Sequence, residues 1–310
     1  MVEAIFVAMN EYVISADQVS DRRLEFTWTP NPFAGAPNTF WVEYPFEVAQ
    51  IEGQDVFYPV LPLFLALGFA DSRFHLVSPL LGRSTAGDGK SAFVRVLANW
   101  LEFVEKEAVE NFGETIRAEA DVEGHPVGRR TVQPSRPQTP YPGVGLFLGG
   151  GAESLLTLAG LMEQKTRPRL ISYLGPGWIG SDPAKNDVKA AQDLRVAREL
   201  GLELYHVRTD IYGLFAQMQN DLWKRMTADV FFVNRVPFTP TLVALFAPMT
   251  RAYRLGAVYH GHERHHEHDP TFHCFTKSFT DRLTACFSPM FAYRRVLADL
   301  KRELEGESNG

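Results

Sequence analysis

From Val144 onward, short apolar segments alternate with longer amphipathic ones, and this alternation limits the folds open to the chain more than any other feature. The apolar segments have the length of strands, and the amphipathic ones have the length of helices. The predicted strands are Val144–Leu148, Arg169–Leu174, Leu202–Val207 and Leu255–Tyr259, with Asp229–Val233 as an alternative extra strand. The predicted helices are Ser154–Gln164, Asp187–Leu200, Tyr212–Met226 and Pro240–Tyr253. The pattern favours an α/β fold in which helices cover both faces of a parallel, doubly wound sheet.

A segment rich in proline and arginine, residues 128–143, precedes the alternating region. It has no apolar period and is therefore predicted to be a linker. Before it, strand-like segments mix with one amphipathic helix, Ser91–Phe112. The chain is thus predicted to consist of a smaller α+β domain over residues 1–127, the linker, and an α/β domain over residues 144–310.

The net charge indicates which kinds of partner the protein binds, and the cysteine content indicates the cellular compartment in which it folds. A net charge of -6 disfavours a general nucleic-acid or membrane-surface binder, which would usually be basic. Two cysteines, Cys274 and Cys286, are too few for a disulfide scaffold and fit a reducing cytoplasm. The longest apolar run, Tyr58–Ala70, is too short to span a bilayer. We therefore predict a cytoplasmic protein that acts on a small molecule, with a homodimer left open.

The first predicted strand runs into a glycine-rich turn, Gly149-Gly150-Gly151-Ala152-Glu153-Ser154, which is followed at once by a helix. Glycines let the backbone turn sharply and approach a ligand closely. The amino terminus of the helix presents unpaired N–H groups and the positive end of the helix dipole. The segment is therefore predicted to hold phosphate groups. The alternative is a tight strand-to-helix turn in which Ser154 caps the helix.

This turn resembles the PP-loop of the N-type ATP pyrophosphatases, whose pattern SGGxDS directly follows the first strand. The superfamily includes 7-cyano-7-deazaguanine synthase and asparagine synthetase. The stretch that ends at Asp210 resembles the lead into the third strand of this superfamily, and Ala252–Glu263 resembles its fourth strand, ending in a glycine turn at Gly261. The resemblance covers roughly residues 144–269. It implies a parallel sheet of about five strands of the HUP type.

The resemblance also implies an ATP-dependent ligase or amide-forming enzyme that adenylates a small molecule and releases pyrophosphate, with ATP and Mg²⁺ as cofactors. Two departures from the motif matter, because Gly149 replaces its first serine and Glu153 replaces its aspartate. The cysteine cluster that binds zinc in the deazaguanine synthases is absent from this sequence. The alternative is a non-catalytic nucleotide-binding or scaffold protein with a degenerate PP-loop.

The resemblance and the polar residues near the predicted strand ends give a candidate site. The residues predicted to be catalytic are Glu153, Ser154 and Arg235. Those predicted to bind the nucleotide are Gly149, Gly150, Gly151, Ala152, Ser154, Tyr173 and Gly261. Those predicted to bind a metal ion are Glu153, His262, Glu263 and Asp269. Arg235 alternatively forms a surface salt bridge, and the histidine-rich segment Tyr259–Asp269 alternatively contacts a ligand without holding a structural metal.

Three weaker signals lie nearby in the sequence. Leu81–Ser91 resembles a Walker A loop, but Ser84 stands where that motif needs its first glycine. Trp178 either stacks on adenine or anchors its loop. Lys185 and Lys189 are further candidates for contact with phosphate.

Overall fold

The computed structural model describes residues 9–81, 92–128, 141–177, 183–227 and 232–298. Its strands are β1 (Asn10–Ser20), β2 (Arg23–Thr29), β3 (Thr39–Glu43), β4 (Ser72–Val77), β5 (Ala118–Val122), β6 (His125–Pro126), β7 (Gly143–Phe147), β8 (Arg169–Leu174), β9 (Leu204–Thr209), β10 (Leu255–Glu263) and β11 (Ala292–Ala298). Its helices are α1 (Leu61–Leu67), α2 (Ala92–Phe112), α3 (Ala152–Glu163), α4 (Pro183–Leu200), α5 (Ile211–Trp223), α6 (Phe232–Arg235), α7 (Phe238–Ala252) and α8 (Lys277–Phe287).

All of these strands form one mixed sheet of 11 strands, in the order β11-β10-β7-β8-β9-β3-β2-β1-β4-β5-β6. The five strands from β11 to β9 are mutually parallel. Strands β3 and β2 continue the sheet in antiparallel fashion, and β1, β4 and β5 are parallel to one another. The predicted α/β class is confirmed, because a large, mostly parallel sheet carries helices.

The predicted sheet of about five strands is wrong as a description of the whole sheet. The parallel strands do not end at a free edge, because β9 pairs with β3 from the amino-terminal part of the chain. An outer strand leaves a row of N–H and C=O groups unpaired, and here another strand pairs with it. Local periodicity identifies strands but does not show which distant strand pairs with a given edge.

The predicted strands correspond to β7, β8, β9 and β10, whereas β11 has no counterpart among them. The alternative strand Asp229–Val233 lies mostly outside the described residues. Its last two residues, Phe232 and Val233, lie in helix α6, and the Phe232 ring contacts Phe112 and Phe215. Burial against these aromatic rings accounts for the apolar side chain at Phe232. The central part of the predicted linker also lies outside the described residues.

Helices cover both faces of the parallel strands. On one face, Leu146 of β7 and Leu170 of β8 pack with Leu158 of α3 and Ala197 of α4. On the other face, the neighbouring strand residues belong to a larger, aromatic-rich core. That core also includes buried side chains of the amino-terminal strands, so both parts of the chain share it. None of the described helices is both long enough and apolar enough to cross a bilayer.

The junction between β3 and β9 is short, with the residue pairs Val42–Thr209 and Glu43–Arg208. Two side chains extend it by bonding the backbone of Trp41. The Thr209 hydroxyl donates to the Trp41 carbonyl at 2.7 Å, and Asp210 Oδ1 accepts the Trp41 N–H at 2.8 Å. The aspartate that ends the third parallel strand therefore has a structural partner in the amino-terminal part of the chain.

We expect Asp210→Ala to lower the free energy of unfolding by about 1–3 kcal/mol, because the Trp41 N–H loses its acceptor in a part-buried position. Asp210→Asn keeps an oxygen at that position and serves as the matched control. Urea unfolding gives the stability, and hydrogen exchange of the Trp41 amide reports the junction itself. Equal stability of the two variants would contradict this role.

Candidate functional site

A cleft of about 340 Å³ opens at the carboxyl ends of β7, β8 and β10. Strand β7 lies between β8, which follows it in the chain, and β10, which is added much later. From β8 the chain continues to β9 on one side of β7, and from β10 it continues to β11 on the other side. The two connections therefore diverge, and a crevice remains between β7 and β10. Open α/β sheets bind ligands in such crevices.

The cleft has a polar part and an apolar part. The apolar part is formed by Phe147, Leu148, Ile171, Tyr173, Phe238, Leu242 and Phe275. The polar part is formed by Gly149, Gly151, Glu153, Ser154, His260, Gly261, His262, Glu263 and His266. Eight residues of the predicted site thus line one cleft: Gly149, Gly151, Glu153, Ser154, Tyr173, Gly261, His262 and Glu263.

The glycine-rich turn has the backbone that its sequence predicts. Gly150 has a φ of +83°, in the left-handed region that favours glycine. A Cβ added at Gly149 would meet no atom within 4 Å, so this position is open space at the cleft. Helix α3 begins after Gly151, and no side chain caps it. The first N–H groups of α3 therefore have no side-chain acceptor.

Ser154 is not the residue that caps α3, because Gly151 holds the N-cap position, but its hydroxyl has a structural partner. It lies within the helix and is buried, and its hydroxyl donates to the Gly151 carbonyl at 2.9 Å. That bond ties the first turn of α3 to the glycine that precedes it. Ser154 thus shapes the turn, and its backbone N–H belongs to the first turn of the helix.

Lys189 lies beneath the turn and is buried. Its ammonium donates to the Leu148 carbonyl at 3.1 Å, to Ser172 Oγ at 2.9 Å and to Asp193 Oδ2 at 2.6 Å. All three of its donors are used, and Asp193 balances its charge. Lys189 therefore does not contact a ligand in this arrangement. It fixes the last residue before the glycines, and this role is not evident from the sequence.

Gly261 allows strand β10 to lie against the start of α3. A Cβ at this position would be 2.3 Å from the Glu153 carbonyl oxygen and 2.6 Å from Thr157 Oγ1. The predicted glycine turn is thus a point of close contact between backbones. It brings the residues on either side of it in β10 to the edge of the cleft.

Two histidines on one face of β10 share a hydrogen-bond partner. The Tyr293 hydroxyl lies 3.0 Å from His260 Nδ1 and 3.1 Å from His262 Nε2. Burial lowers the pKa of His260 to about 3, and it lowers the pKa of His262 well below that of a free imidazole. Both rings are therefore neutral at pH 7. Tyr293 comes from β11, a strand that the sequence pattern does not predict.

Three residues of the predicted metal set, Glu153, His262 and Glu263, line the cleft, but their ligand atoms do not form a group within reach of one ion. Among the described residues, the only group of three or more His, Cys, Asp or Glu ligand atoms within reach of one ion is Glu107, Glu110 and His273. Asp269 instead caps the 3-10 helix Pro270–Phe275 by accepting the Thr271 N–H at 2.8 Å, and it does not line the cleft. His262 uses Nε2 for Tyr293. Glu153 and Glu263 remain as the carboxylates in the cleft.

Arg235 also lies away from the cleft. It is buried, and its Nε donates to Asn111 Oδ1 of α2 at 2.7 Å. Asn111 in turn donates to Glu107, whose carboxylate pairs with Arg282 at 2.6 Å. Arg235 thus belongs to a buried polar network that also contains the group Glu107, Glu110 and His273. Arg282 bonds both carboxylates of that group and supplies its positive charge.

Of the other predicted residues, Gly150 and Ala152 belong to the turn but do not line the cleft. The Tyr173 hydroxyl donates to the Leu242 carbonyl at 2.7 Å, so Tyr173 offers its ring to a ligand. The Walker-like residues 82–91 and Trp178 lie outside the described residues. Sequence analysis missed Phe238, Leu242 and Phe275, because apolar residues in helical segments carry no motif.

We expect the protein to lose stability as the pH falls from about 6.5 towards 3. The unfolded chain takes up a proton on residue 260 in this range, whereas the folded state does not, because the pKa of His260 is lowered to about 3. The effect of this residue is on the order of 5 kcal/mol at most. His260→Gln should flatten the dependence, and the exposed His125 gives the control His125→Gln.

Urea unfolding at pH 7 and at pH 4 measures this difference. If His260→Gln lost as much stability on acidification as the wild type and His125→Gln do, burial of His260 would not be the cause.

No family model, curated protein or solved structure matches this chain. The function of the cleft therefore has to be inferred from the chemistry of the residues that form it.

Proposed function

We propose that this protein binds Mg-ATP in the cleft and adenylates a small-molecule substrate with release of pyrophosphate, as an ATP-dependent ligase or amide-forming enzyme. The observation that carries the proposal is the uncapped amino terminus of α3, which follows a glycine turn at the crevice between β7 and β10. Backbone N–H groups and the helix dipole at such a position favour an anion.

The order of the five parallel strands supports a nucleotide-binding unit of the HUP type. From β9 the order is β9-β8-β7-β10-β11, so the first strand of the unit is central and the fourth and fifth lie beyond it. Doubly wound sheets with this order bind nucleotides at the point where the order reverses. The glycine turn follows the central strand β7.

The two parts of the cleft suit the two parts of a nucleotide. The turn Gly149–Ser154 would receive the phosphates. The aromatic rings of Phe147, Tyr173 and Phe238 form a surface on which a flat base or an apolar substrate could pack. Because the Tyr173 hydroxyl is already bonded to a carbonyl, recognition on this side would depend on ring contacts.

Charge in the cleft implies that ATP would bind with a divalent cation. Two carboxylates, Glu153 and Glu263, line the described cleft, and neither lysine nor arginine does. A bound Mg²⁺ would supply the positive charge that the phosphates require. Glu153 is the carboxylate suited to hold it, since it lies in the first turn of α3, beside the glycines.

In the proposed reaction, an oxygen of a substrate carboxylate attacks the α-phosphorus of ATP. The new P–O bond forms as the bond to the oxygen that bridges the α- and β-phosphates breaks, and pyrophosphate leaves with that electron pair. The N–H groups of the turn would stabilise the leaving charge. A nucleophile then displaces AMP from the acyl adenylate.

A non-catalytic nucleotide-binding or scaffold role is the second candidate. The lack of lysine and arginine in the described lining favours it, because phosphoryl chemistry usually uses such side chains in the transition state. Glycine at position 149 also removes the hydroxyl that the PP-loop pattern has there.

We expect Gly149→Val to weaken Mg-ATP binding at least tenfold without unfolding the protein, as measured by calorimetry. A Cβ at Gly149 would meet no protein atom within 4 Å, so the valine would cause no clash within the protein. Its side chain would instead fill the space in which we propose that the phosphates bind. Gly150 is a poorer choice, because its φ of +83° makes any side chain strained. Gly160→Val, at an open position farther along α3, is the control.

Chelation of Mg²⁺ should reduce ATP affinity in the wild type as strongly as the substitution does. Wild-type affinity in Gly149→Val would refute the proposed phosphate site.

The product of turnover separates the two candidate functions. With ATP labelled at the α-phosphate, a carboxylic acid and ammonia, we expect labelled AMP and not ADP. Glu153→Gln should lower kcat on the order of 100-fold while changing ATP affinity less, because its charge would matter most as pyrophosphate leaves. ADP as the main product would contradict the adenylation reaction. Tight ATP binding without turnover across a panel of acids would favour the scaffold role.

A further inference from the structure

Tyr293 Oη lies between the two buried imidazoles of the cleft wall, 3.0 Å from His260 Nδ1 and 3.1 Å from His262 Nε2. The His260 and His262 ring centroids are 4.1 Å apart. All three side chains are buried. Burial raises the pKa of Tyr293 and lowers the pKa of both histidines, so the three groups are uncharged together.

We call His260, Tyr293 and His262 the triad. The number of protons it holds determines how the tautomer of one imidazole depends on the tautomer of the other. The tyrosine has one hydroxyl proton and can donate it to only one ring. The other ring must then donate its own N–H to the tyrosine oxygen. If His260 donates from Nδ1, the tyrosine donates to His262 Nε2 and the proton of His262 is on Nδ1. If His262 donates from Nε2, the proton of His260 is on Nε2. The two rings therefore share one tautomer in either state.

The outer nitrogens, His260 Nε2 and His262 Nδ1, consequently have opposite roles. One carries a proton and donates, while the other is bare and accepts. The two states interconvert when the inner protons shift across the tyrosine oxygen while one outer nitrogen gains a proton and the other loses one, so that no group ends with a charge. His262 Nδ1 is buried without a hydrogen-bond partner among the described residues, although its ring lines the cleft. Buried polar atoms without a hydrogen-bond partner are rare in folded proteins, and this one belongs to a ring that lines the cleft.

We propose that the triad is a neutral proton relay that accepts a proton from an amine, which makes ammonia or a primary amine the second substrate of this site. The identity of this nucleophile rests on the proposed ligase function. The amine donates an N–H to the bare outer nitrogen and attacks the acyl adenylate through its lone pair. The protonated outer nitrogen faces the carbonyl oxygen, which gains negative charge as the C–N bond forms.

The transfer balances in protons and charge. One proton leaves the amine and binds the bare imidazole nitrogen. The inner protons move across the tyrosine oxygen, and the proton of the other outer nitrogen passes to the substrate oxygen. The triad ends in its second tautomer. The oxygen then re-forms its double bond as the C–O bond to AMP breaks, and AMP leaves with that electron pair and takes up the proton of the hydroxyl group. A sulfur nucleophile would gain less from this device, because a thiolate attacks without losing a proton.

The triad can be tested by nitrogen NMR of the full chain labelled with ¹⁵N-histidine. At pH 7 we expect His260 and His262 to be neutral and to show equal fractions of the Nδ1–H form, as coupled tautomers must. Tyr293→Phe keeps the ring but removes the shared oxygen, so the fractions should become unequal. Tyr259→Phe is the control, since that ring lies by Arg294 and is not bonded to either histidine. A charged ring or unequal fractions in the wild type would overturn the relay.

The amine assignment is tested by titration with methylamine at a pH at which free base is present. We expect the tautomer fractions of both rings to shift together in the wild type and in Tyr259→Phe, but not in Tyr293→Phe. Unchanged spectra would overturn the assignment of an amine. Unequal tautomer fractions together with intact Mg-ATP binding would contradict the relay and leave the proposed function standing. Equal tautomer fractions without Mg-ATP binding would contradict the proposed function and leave the coupling of the two histidines standing.

Discussion

The candidate site depends on the parallel pairing of β7 with β10, which places the glycine turn and the histidine strand on the same crevice. Helix α3 can lie against this strand pair because Gly261 has no side chain where β10 meets the carbonyl of Glu153. A Cβ there would force α3 away from the sheet. The turn would then lose its position relative to the histidines, even if its own backbone stayed intact.

Burial determines which side chains of the site are neutral and which carry a charge that is paired. The Lys189 ammonium near the turn is paired with Asp193 and donates to the Leu148 carbonyl, so it adds rigidity and little net charge. The two buried histidines are neutral for the same reason that the lysine is paired, since a lone charge in such surroundings is costly. Uncharged donors and acceptors therefore dominate the wall of β10, while the carboxylates of the described cleft lining belong to Glu153 and Glu263.

Features that depend on residues close to one another in the sequence could be predicted from it. The glycine turn, the strands β7, β8, β9 and β10 and the convergence of Gly149, Glu153 and His262 all follow from local pattern and from the rule that carboxyl ends of parallel strands meet. Strand β11 was missed, because Arg294 and Arg295 interrupt its apolar residues, and Tyr293 was missed with it. Arg235 has the right chemistry for a phosphate, but its side chain is bonded to Asn111, a partner that no local pattern reveals.

The short junction between β3 and β9 has a consequence for how the chain is made. Its partners are separated by more than 160 residues, and the bond from Trp41 to Asp210 spans 169. During synthesis, β3 emerges early and keeps an open edge until β9 has left the ribosome. An open edge can pair with a strand of another molecule. In the period between the appearance of β3 and that of β9, the nascent chain is thus exposed to aggregation through this edge.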